Sequence, residues 1–266
     1  MINLQTMLMR DNNFELSGFG SVPIHSGHDK DPRYAHLTPI YATSTYVYDT
    51  AGQGMRRFSG AEEGFIYSRW GNPTMQEAEQ KIAAMECYGS DLEVKGYLQA
   101  SGMAAITTMM LSTLRSGDKV LTHFSLYGGT QEMLNLVLPN LGIGAIITDL
   151  RDLNKAEDAL KADPAIKMIY LETPANPTIQ CVDIKALSGL GKQYRKNIGC
   201  DNTFATPFLQ QPFLLGADYV VHSTTKFLNG HGTAIGGIFM GKDIEFMNSL
   251  AYKYYKIIGG NSNPFD

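Results

Sequence analysis

The sequence HSTTK, residues 222–226, stands at the end of a predicted strand, 218–223, whose middle is the apolar run YVV. Hydroxyl-bearing residues therefore directly precede the amine of Lys226 at a strand end. Hydroxyl groups can hold a phosphate, and an amine can condense with an aldehyde, so this stretch suits a phosphorylated aldehyde. Most lysines are solvated surface charges. Here the apolar strand and the glycines at 230, 232, 236 and 237 favour a Lys226 that is not freely exposed.

On the N-terminal side of this stretch, and just beyond it, short apolar strands alternate with helices. The predicted strands are 96–98, 119–122, 144–148, 167–172, 197–201, 218–223 and 235–240. The predicted helices begin at Pro73 and Ser101 and span 131–138, 153–162 and 184–196, and the one at Ser101 runs to about Gly117. This order predicts an α/β fold with a mostly parallel sheet covered by helices on both faces. Ligands bind beyond the carboxyl ends of such strands, so the polar residues there are the candidates.

Ser101-Gly102-Met103 opens the most apolar of the predicted helices. Ser101 can cap the helix, and the first N–H groups then form a site suited to a phosphate. The alternative is a plain N-cap, because Ser-Gly before a helix is common.

Asp201 and Tyr127 each follow or end a predicted strand. A carboxylate at Asp201 can face a pyridine nitrogen and keep it protonated, which makes the ring an electron sink. An isolated aspartate is also a common turn or cap residue. The ring of Tyr127 could stack on a flat cofactor, although a tyrosine at a turn is equally ordinary.

The segment YSRWGNPT, residues 67–74, lies between a less regular N-terminal arm, 1–60, and the first regular helix. Arg69 could clamp a phosphate, and the hydroxyl of Tyr67 could add a hydrogen bond. The alternative for Arg69 is an exposed surface cation.

Composition narrows the class of protein. With 266 residues, 44% hydrophobic and 18% charged, the chain can bury a sizeable core. Its formal charge of −4 gives no basic patch for nucleic acid or an anionic membrane. No segment has the length of a transmembrane span, and the N-terminus lacks signal-peptide features, so a cytoplasmic protein is expected. The three cysteines are few and widely spaced, which predicts neither disulfides nor a metal site.

Taken together and in order, these motifs resemble the trans-sulfuration, or Cys/Met-metabolism, family of pyridoxal-phosphate enzymes. The family includes cystathionine gamma-synthase and gamma-lyase, methionine gamma-lyase and O-acetylhomoserine sulfhydrylase. The resemblance is carried by Tyr67-Ser68-Arg69, Ser101-Gly102-Met103, residues 172–177 (ETPANP), Asp201-Asn202-Thr203 and residues 223–226 (STTK). It implies the aspartate-aminotransferase-like fold, type I, and pyridoxal 5′-phosphate as cofactor.

The resemblance also implies roles for individual residues. Lys226 is expected to form the Schiff base and to shuttle protons, Asp201 to pair with the pyridine nitrogen, and Tyr127 to stack on the ring and protonate the leaving group. Asn176 is expected to bind the ring hydroxyl, while Tyr67 and Arg69 serve the cofactor phosphate of a neighbouring subunit. The remaining cofactor-binding residues are expected to be Ser101, Gly102, Met103, Thr203, Ser223 and Thr225.

For the whole protein, the resemblance implies gamma-elimination or gamma-replacement on a homocysteine- or homoserine-type amino acid. It implies a homodimer as the minimal unit, within a homotetramer. Residues 61–266 are expected to form the cofactor-binding domain, and the C-terminal substrate domain of the family, with its carboxylate-binding arginine, is expected to be missing. Gly129 stands where methionine gamma-lyases usually carry a cysteine. The alternatives are an aminotransferase of the same fold and a non-catalytic, truncated paralogue.

Overall fold

The computed structural model of the protein describes residues 18–27 and 34–266. The predicted N-terminal arm, 1–60, lies partly outside the described residues. Its described part contains a short helical segment at residues 19–25 and a helix at Ala51–Ser59. Within the described residues, no helix combines the length and apolar character that crossing a membrane requires.

Among the described residues, seven strands form one sheet in the order β1-β7-β6-β5-β4-β2-β3. The strands are β1 (Lys95–Gln99), β2 (Lys119–His123), β3 (Gly144–Thr148), β4 (Ile166–Glu172), β5 (Asn197–Asp201), β6 (Tyr219–His222) and β7 (Gly237–Gly241). Only β7 among them runs against its neighbours, β1 and β6, so the predicted mostly parallel sheet is confirmed.

The helices largely follow the predicted pattern. They are α1 (Val22–His25), α2 (Ala51–Ser59), α3 (Pro73–Glu86), α4 (Gly102–Thr113), α5 (Gly128–Glu132), α6 (Leu153–Ala162), α7 (Ile184–Tyr194), α8 (Thr206–Leu209), α9 (Ile244–Phe246) and α10 (Tyr252–Ile258). Short 3-10 turns lie at Phe19–Ser21, Leu138–Leu141, Pro212–Leu215 and Phe227–Asn229, and π-helical turns at Met133–Val137 and Met247–Ala251.

The predicted regular helix over 131–138 is wrong in detail. The helix begins earlier, at Gly128, widens into the π turn Met133–Val137 and tightens into the 3-10 turn Leu138–Leu141. Pro139 has no N–H to donate to the preceding turn, and Gly142 then takes a left-handed φ of 75° that ends the helix. The predicted helix 184–196 likewise stops at Tyr194, because Arg195 is left-handed with φ 55°.

Two apolar layers cover the sheet, one on each face. Adjacent residues of one strand alternate between them, so that Ile169 belongs to one layer and Met168 to the other. Helices α3, α6 and α7 contribute to the first layer, while α4 and α10 contribute to the second. The predicted covering of both faces is therefore confirmed.

The outer edge of β1 is covered by polar groups of this chain. Glu79 of α3 accepts a hydrogen bond from the backbone N–H of Leu98 at 2.8 Å, and Ala100 donates its N–H to the carbonyl of Gly260 at 2.6 Å. Such contacts satisfy strand groups that would otherwise remain unpaired. Burial raises the pKa of Glu79 to about 8, against the lowering effect of the Leu98 N–H and of Lys95.

This raised pKa predicts a pH-dependent stability. The folded chain binds the Glu79 proton more tightly than the unfolded chain, so the stability that Glu79 contributes is lost as pH rises from about 4.5 to about 8. Glu79→Gln keeps the acceptor but cannot ionise. We expect equal free energies of unfolding at pH 5 and a more stable variant at pH 8, with the gap growing by at most about 1.4 kcal/mol per pH unit.

Urea unfolding at several pH values measures this gap. Glu245→Gln, which removes an exposed glutamate from α9, is the control and should show no growing gap. A constant difference between Glu79→Gln and the wild type across this pH range would contradict the assignment.

Candidate active site

The carboxyl ends of the parallel strands meet at one edge of the sheet. Glu172 at the end of β4 pairs with Asp201 at the end of β5. At the other side of the same edge, Gln99 at the end of β1 pairs with Gly237 at the start of β7. Polar residues that lie far apart in the sequence are thereby brought to a common edge, which is where such sheets bind ligands.

The first turn of α4 packs backbone-to-backbone against the ends of β6 and β7. Ser101 caps α4, its hydroxyl accepting from the N–H of Ala104 at 3.0 Å. A Cβ atom added to Gly102 would lie 2.7 Å from Cβ of Ser223, and one added to Gly237 would lie 2.2 Å from the carbonyl oxygen of Ser101. Glycine at both positions thus allows the N-terminus of α4 to sit beside Ser223.

Hydrogen bonds hold the hydroxyl-bearing residues after β6 in place. The hydroxyl of Thr225 donates to the carbonyl of Gly236 at 3.0 Å and accepts from the N–H of Gly236 at 2.9 Å. The hydroxyl of Thr203 accepts from the N–H of Ser223 at 2.8 Å, and the N–H of Thr203 donates to Asp201 at 3.0 Å. Thr203 therefore links the ends of β5 and β6.

Asp201 is a buried carboxylate at the centre of this edge, with 8% of its surface exposed. Burial raises its pKa, and hydrogen bonds from Thr203 act in the opposite direction. A cation placed beside this carboxylate would stabilise its ionised form.

Glu172 is a second buried carboxylate, next to Asp201. One of its oxygens accepts from the N–H of Tyr127 at 2.7 Å and the other from the N–H of Asn176 at 2.8 Å. Burial, and then the charge of Asp201, raise the pKa of Glu172 to about 7, while the two N–H groups lower it. In the sequence, Glu172 was noted only as part of the ETPANP motif, residues 172–177. Its place at the end of a predicted strand already indicated a residue of the site.

The side chains of Tyr127 and Met103 both lie close to Gly129. A Cβ atom at Gly129 would lie 2.8 Å from Cε1 of Tyr127 and 3.2 Å from the sulfur of Met103. The side chain of Tyr127 is 47% exposed, so much of its ring remains open at the edge of the sheet. Asn176 joins the same region through its bond to Glu172.

Lys226 lies at the rim of the site and is exposed, contrary to the expectation from the sequence. The chain has left the sheet after His222 and turns into the 3-10 segment Phe227–Asn229, which carries Lys226 beyond the covered strand. Its backbone N–H donates to the carbonyl of Ser223 at 3.2 Å.

In the part of the chain that the structure describes, no hydrogen bond joins Tyr67 or Arg69 to Ser223 or to the start of α4. The guanidinium of Arg69 lies over the ring of Tyr67, 5.2 Å from its centroid, and donates to the carbonyl of Lys256 in α10. Both residues thus form a pair held by the C-terminal helix of this chain.

A buried polar group behind the site was not anticipated from the sequence. Glu86 of α3 bonds to His222 at 2.6 Å and to the side-chain amide of Asn202 at 2.9 Å, and all three are at most 1% exposed. The sequence did offer a signal for this group: His222 and Asn202 are polar residues at strand ends, and Glu86 is a polar residue at the end of a helix. This group ties α3 to the end of β5, just after Asp201, and to the end of the neighbouring strand β6.

Fold and site together define an α/β protein with a binding site at the carboxyl edge of its sheet. The family model for the Cys/Met metabolism PLP-dependent enzymes matches residues 20–266, and the chain belongs to that family. The predicted family and cofactor class are thereby confirmed.

Individual relatives agree with this family. An L-methionine gamma-lyase of Treponema denticola is 40% identical over 97% of this chain and 63% of its own length. An O-succinylhomoserine sulfhydrylase of Pseudomonas aeruginosa is 35% identical over 96% of this chain and 61% of its own. The crystal structure of cystathionine gamma-lyase from Lactobacillus plantarum complexed with L-serine has a TM-score of 0.82 and 35% identity, covering 93% of this chain and 61% of that one. The chain thus spans about three fifths of the length of these relatives.

The residues present fit pyridoxal 5′-phosphate. The capped start of α4 and the hydroxyl of Ser223 suit an anionic phosphate. Asp201 offers a buried carboxylate to a cationic ring nitrogen, and the open ring of Tyr127 offers a flat surface.

The close packing at Gly102 makes a prediction about stability. Gly102→Ala should lower the free energy of unfolding by about 1–3 kcal/mol, because the new methyl group meets Ser223. Gly128→Ala is the control. It also changes the first residue of a helix beside the site, but nothing lies within 4 Å of the added Cβ. Equal unfolding free energies for the two variants, measured in urea, would contradict the close approach.

Proposed function

We propose that this chain is the cofactor-binding part of an enzyme that makes or breaks carbon–sulfur bonds in amino acids. The observation that carries the proposal is the meeting of Asp201, Ser223 and the start of α4 at one sheet edge, in a chain of this family. The reaction is gamma-elimination or gamma-replacement. The substrate is a sulfur-containing or O-acylated amino acid, as the names of the related gamma-lyase and sulfhydrylase suggest.

Each residue of the site has a physical role in this proposal. When bound, the cofactor supplies an electron sink for negative charge at the alpha carbon of the substrate. Asp201 holds the proton on the ring nitrogen, while Ser223, Thr225 and the first N–H groups of α4 bind the phosphate.

The remaining groups act on the substrate side of the ring. The amine of Lys226 would hold the cofactor covalently through its aldehyde, and once displaced by the amine of the substrate it would move protons at the substrate carbon atoms. Lys226 is exposed, and its backbone N–H is bonded to Ser223 at the same edge of the sheet. The hydroxyl of Tyr127 carries the proton for the departing group, and Asn176 orients the ring hydroxyl.

The proposal predicts that Lys226 is the residue that the cofactor labels. Borohydride reduction of the cofactor-loaded protein followed by peptide mapping should place the label on Lys226. Lys226→Ala should lose the label and the visible absorbance, with an unchanged circular dichroism spectrum of the backbone. Lys192→Ala removes an exposed lysine of α7 and should keep both. A label on a different lysine would refute the assignment.

We further propose that the active unit is a homodimer, within a homotetramer, and that Tyr67 and Arg69 complete the phosphate site of the partner. What supports this is their position in the single chain, where Arg69 lies over the ring of Tyr67 and its hydrogen bond goes to α10. Binding of the cofactor is then linked to association by mass action.

Mixing two inactive variants tests the shared site. In a dimer of an Arg69→Ala chain with a Lys226→Ala chain, one site receives both lesions and the other receives neither, so up to half of the sites in mixed dimers should work. Cofactor absorbance and turnover should both return on mixing.

The matched control mixes Asp201→Ala with Lys226→Ala. These two residues act within the same chain, so neither site of the mixed dimer is intact and no turnover should return. If the Arg69 pair behaves like this control although mixed dimers form, the shared site is wrong.

A further inference from the structure

Glu172 uses its two carboxylate oxygens on two different loops. Oε2 accepts from the N–H of Tyr127, in the loop after β2, and Oε1 accepts from the N–H of Asn176, in the loop after β4. The two distances, 2.7 and 2.8 Å, are those of strong hydrogen bonds to a charged acceptor. One side chain therefore joins two segments that are far apart in the sequence.

The surroundings of Glu172 make this link rigid. The residue is 6% exposed and ends a strand whose neighbour, β5, holds Asp201 in register beside it. The position of the carboxylate is thus fixed by the sheet. Since the backbone N–H groups of Tyr127 and Asn176 both bond to this carboxylate, the sheet also fixes the backbone positions of these two residues.

We propose that Glu172 is a positioning residue, which sets the separation between the ring of Tyr127 and the side-chain amide of Asn176. Through this separation it sets the orientation of the bound cofactor ring. This inference rests on the proposed function for the identity of the ring. It assigns Glu172 no contact with substrate or cofactor. Glu172 acts only through the two loops that it joins.

The chemistry of the side chain explains why a glutamate is needed. Two backbone N–H donors require two acceptor oxygens, and a carboxylate has both. Glutamine, with nearly the same shape, has one acceptor oxygen and one NH2 group, and that NH2 would face an N–H. Burial, and then the charge of Asp201, raise the pKa of Glu172 to about 7, and the two N–H donors act against that rise by favouring the charged carboxylate.

Amide hydrogen exchange of the chain without cofactor tests the link directly. Glu172→Gln should accelerate exchange at Tyr127 or Asn176 by about three- to tenfold, and Glu172→Ala should accelerate it at both. Glu79→Gln is the matched control, because Glu79 is another carboxylate that accepts a backbone N–H, but its partner is Leu98 of β1. It should leave both amides unchanged. If Glu172→Ala does not fold, the isosteric Glu172→Gln decides the matter alone.

Visible circular dichroism of protein loaded with pyridoxal 5′-phosphate tests the effect on the ring. We expect Glu172→Gln to keep the absorbance band but to lose at least half of its dichroism, with several-fold weaker cofactor binding. Unchanged exchange at both amides overturns the link, and faster exchange with unchanged dichroism and affinity overturns the positioning role. A wild-type chain that shows no cofactor band would instead count against the proposed function.

Discussion

The site depends on a close approach of backbones that only glycine permits. Gly102 and Gly237 let the start of α4, with its cap Ser101, lie directly against Ser223 after β6 and against the start of β7. Interiors are packed too densely to absorb an extra methyl group at such a contact. The start of α4 and Ser223, which we propose bind the phosphate, are therefore held together by one geometric constraint.

Electrostatics adds a second level of organisation. Asp201 and Glu172 lie in register on adjacent strands, both buried, and the charge of Asp201 makes ionisation of Glu172 less favourable. The two carboxylates differ in the hydrogen bonds that they accept. Glu172 has both oxygens engaged by backbone N–H groups, whereas Asp201 receives the N–H of Thr203 on one oxygen. A cationic ring nitrogen would thus find its partner in Asp201.

Local patterns in the sequence were sufficient for the sheet and for the strand-end residues Asp201 and Ser223, because apolar runs and their polar ends are short-range features. They failed where tertiary packing decides. The π and 3-10 turns after Glu132 depend on how that helix packs against the rest of the fold. The exposure of Lys226 depends on the path that the chain takes after β6. The bond between Glu172 and Tyr127 joins residues 45 positions apart, which no local pattern contains. The roles of the site residues remain predictions.

The central claim is that one edge of the sheet orients a pyridoxal 5′-phosphate ring through Asp201. A crystal structure of the protein grown with the cofactor measures this most directly. We expect the ring nitrogen within about 2.7–3.2 Å of an Asp201 oxygen, and the phosphate between the start of α4 and Ser223. A ring whose nitrogen faces solvent, or a phosphate bound away from Gly102, would contradict it.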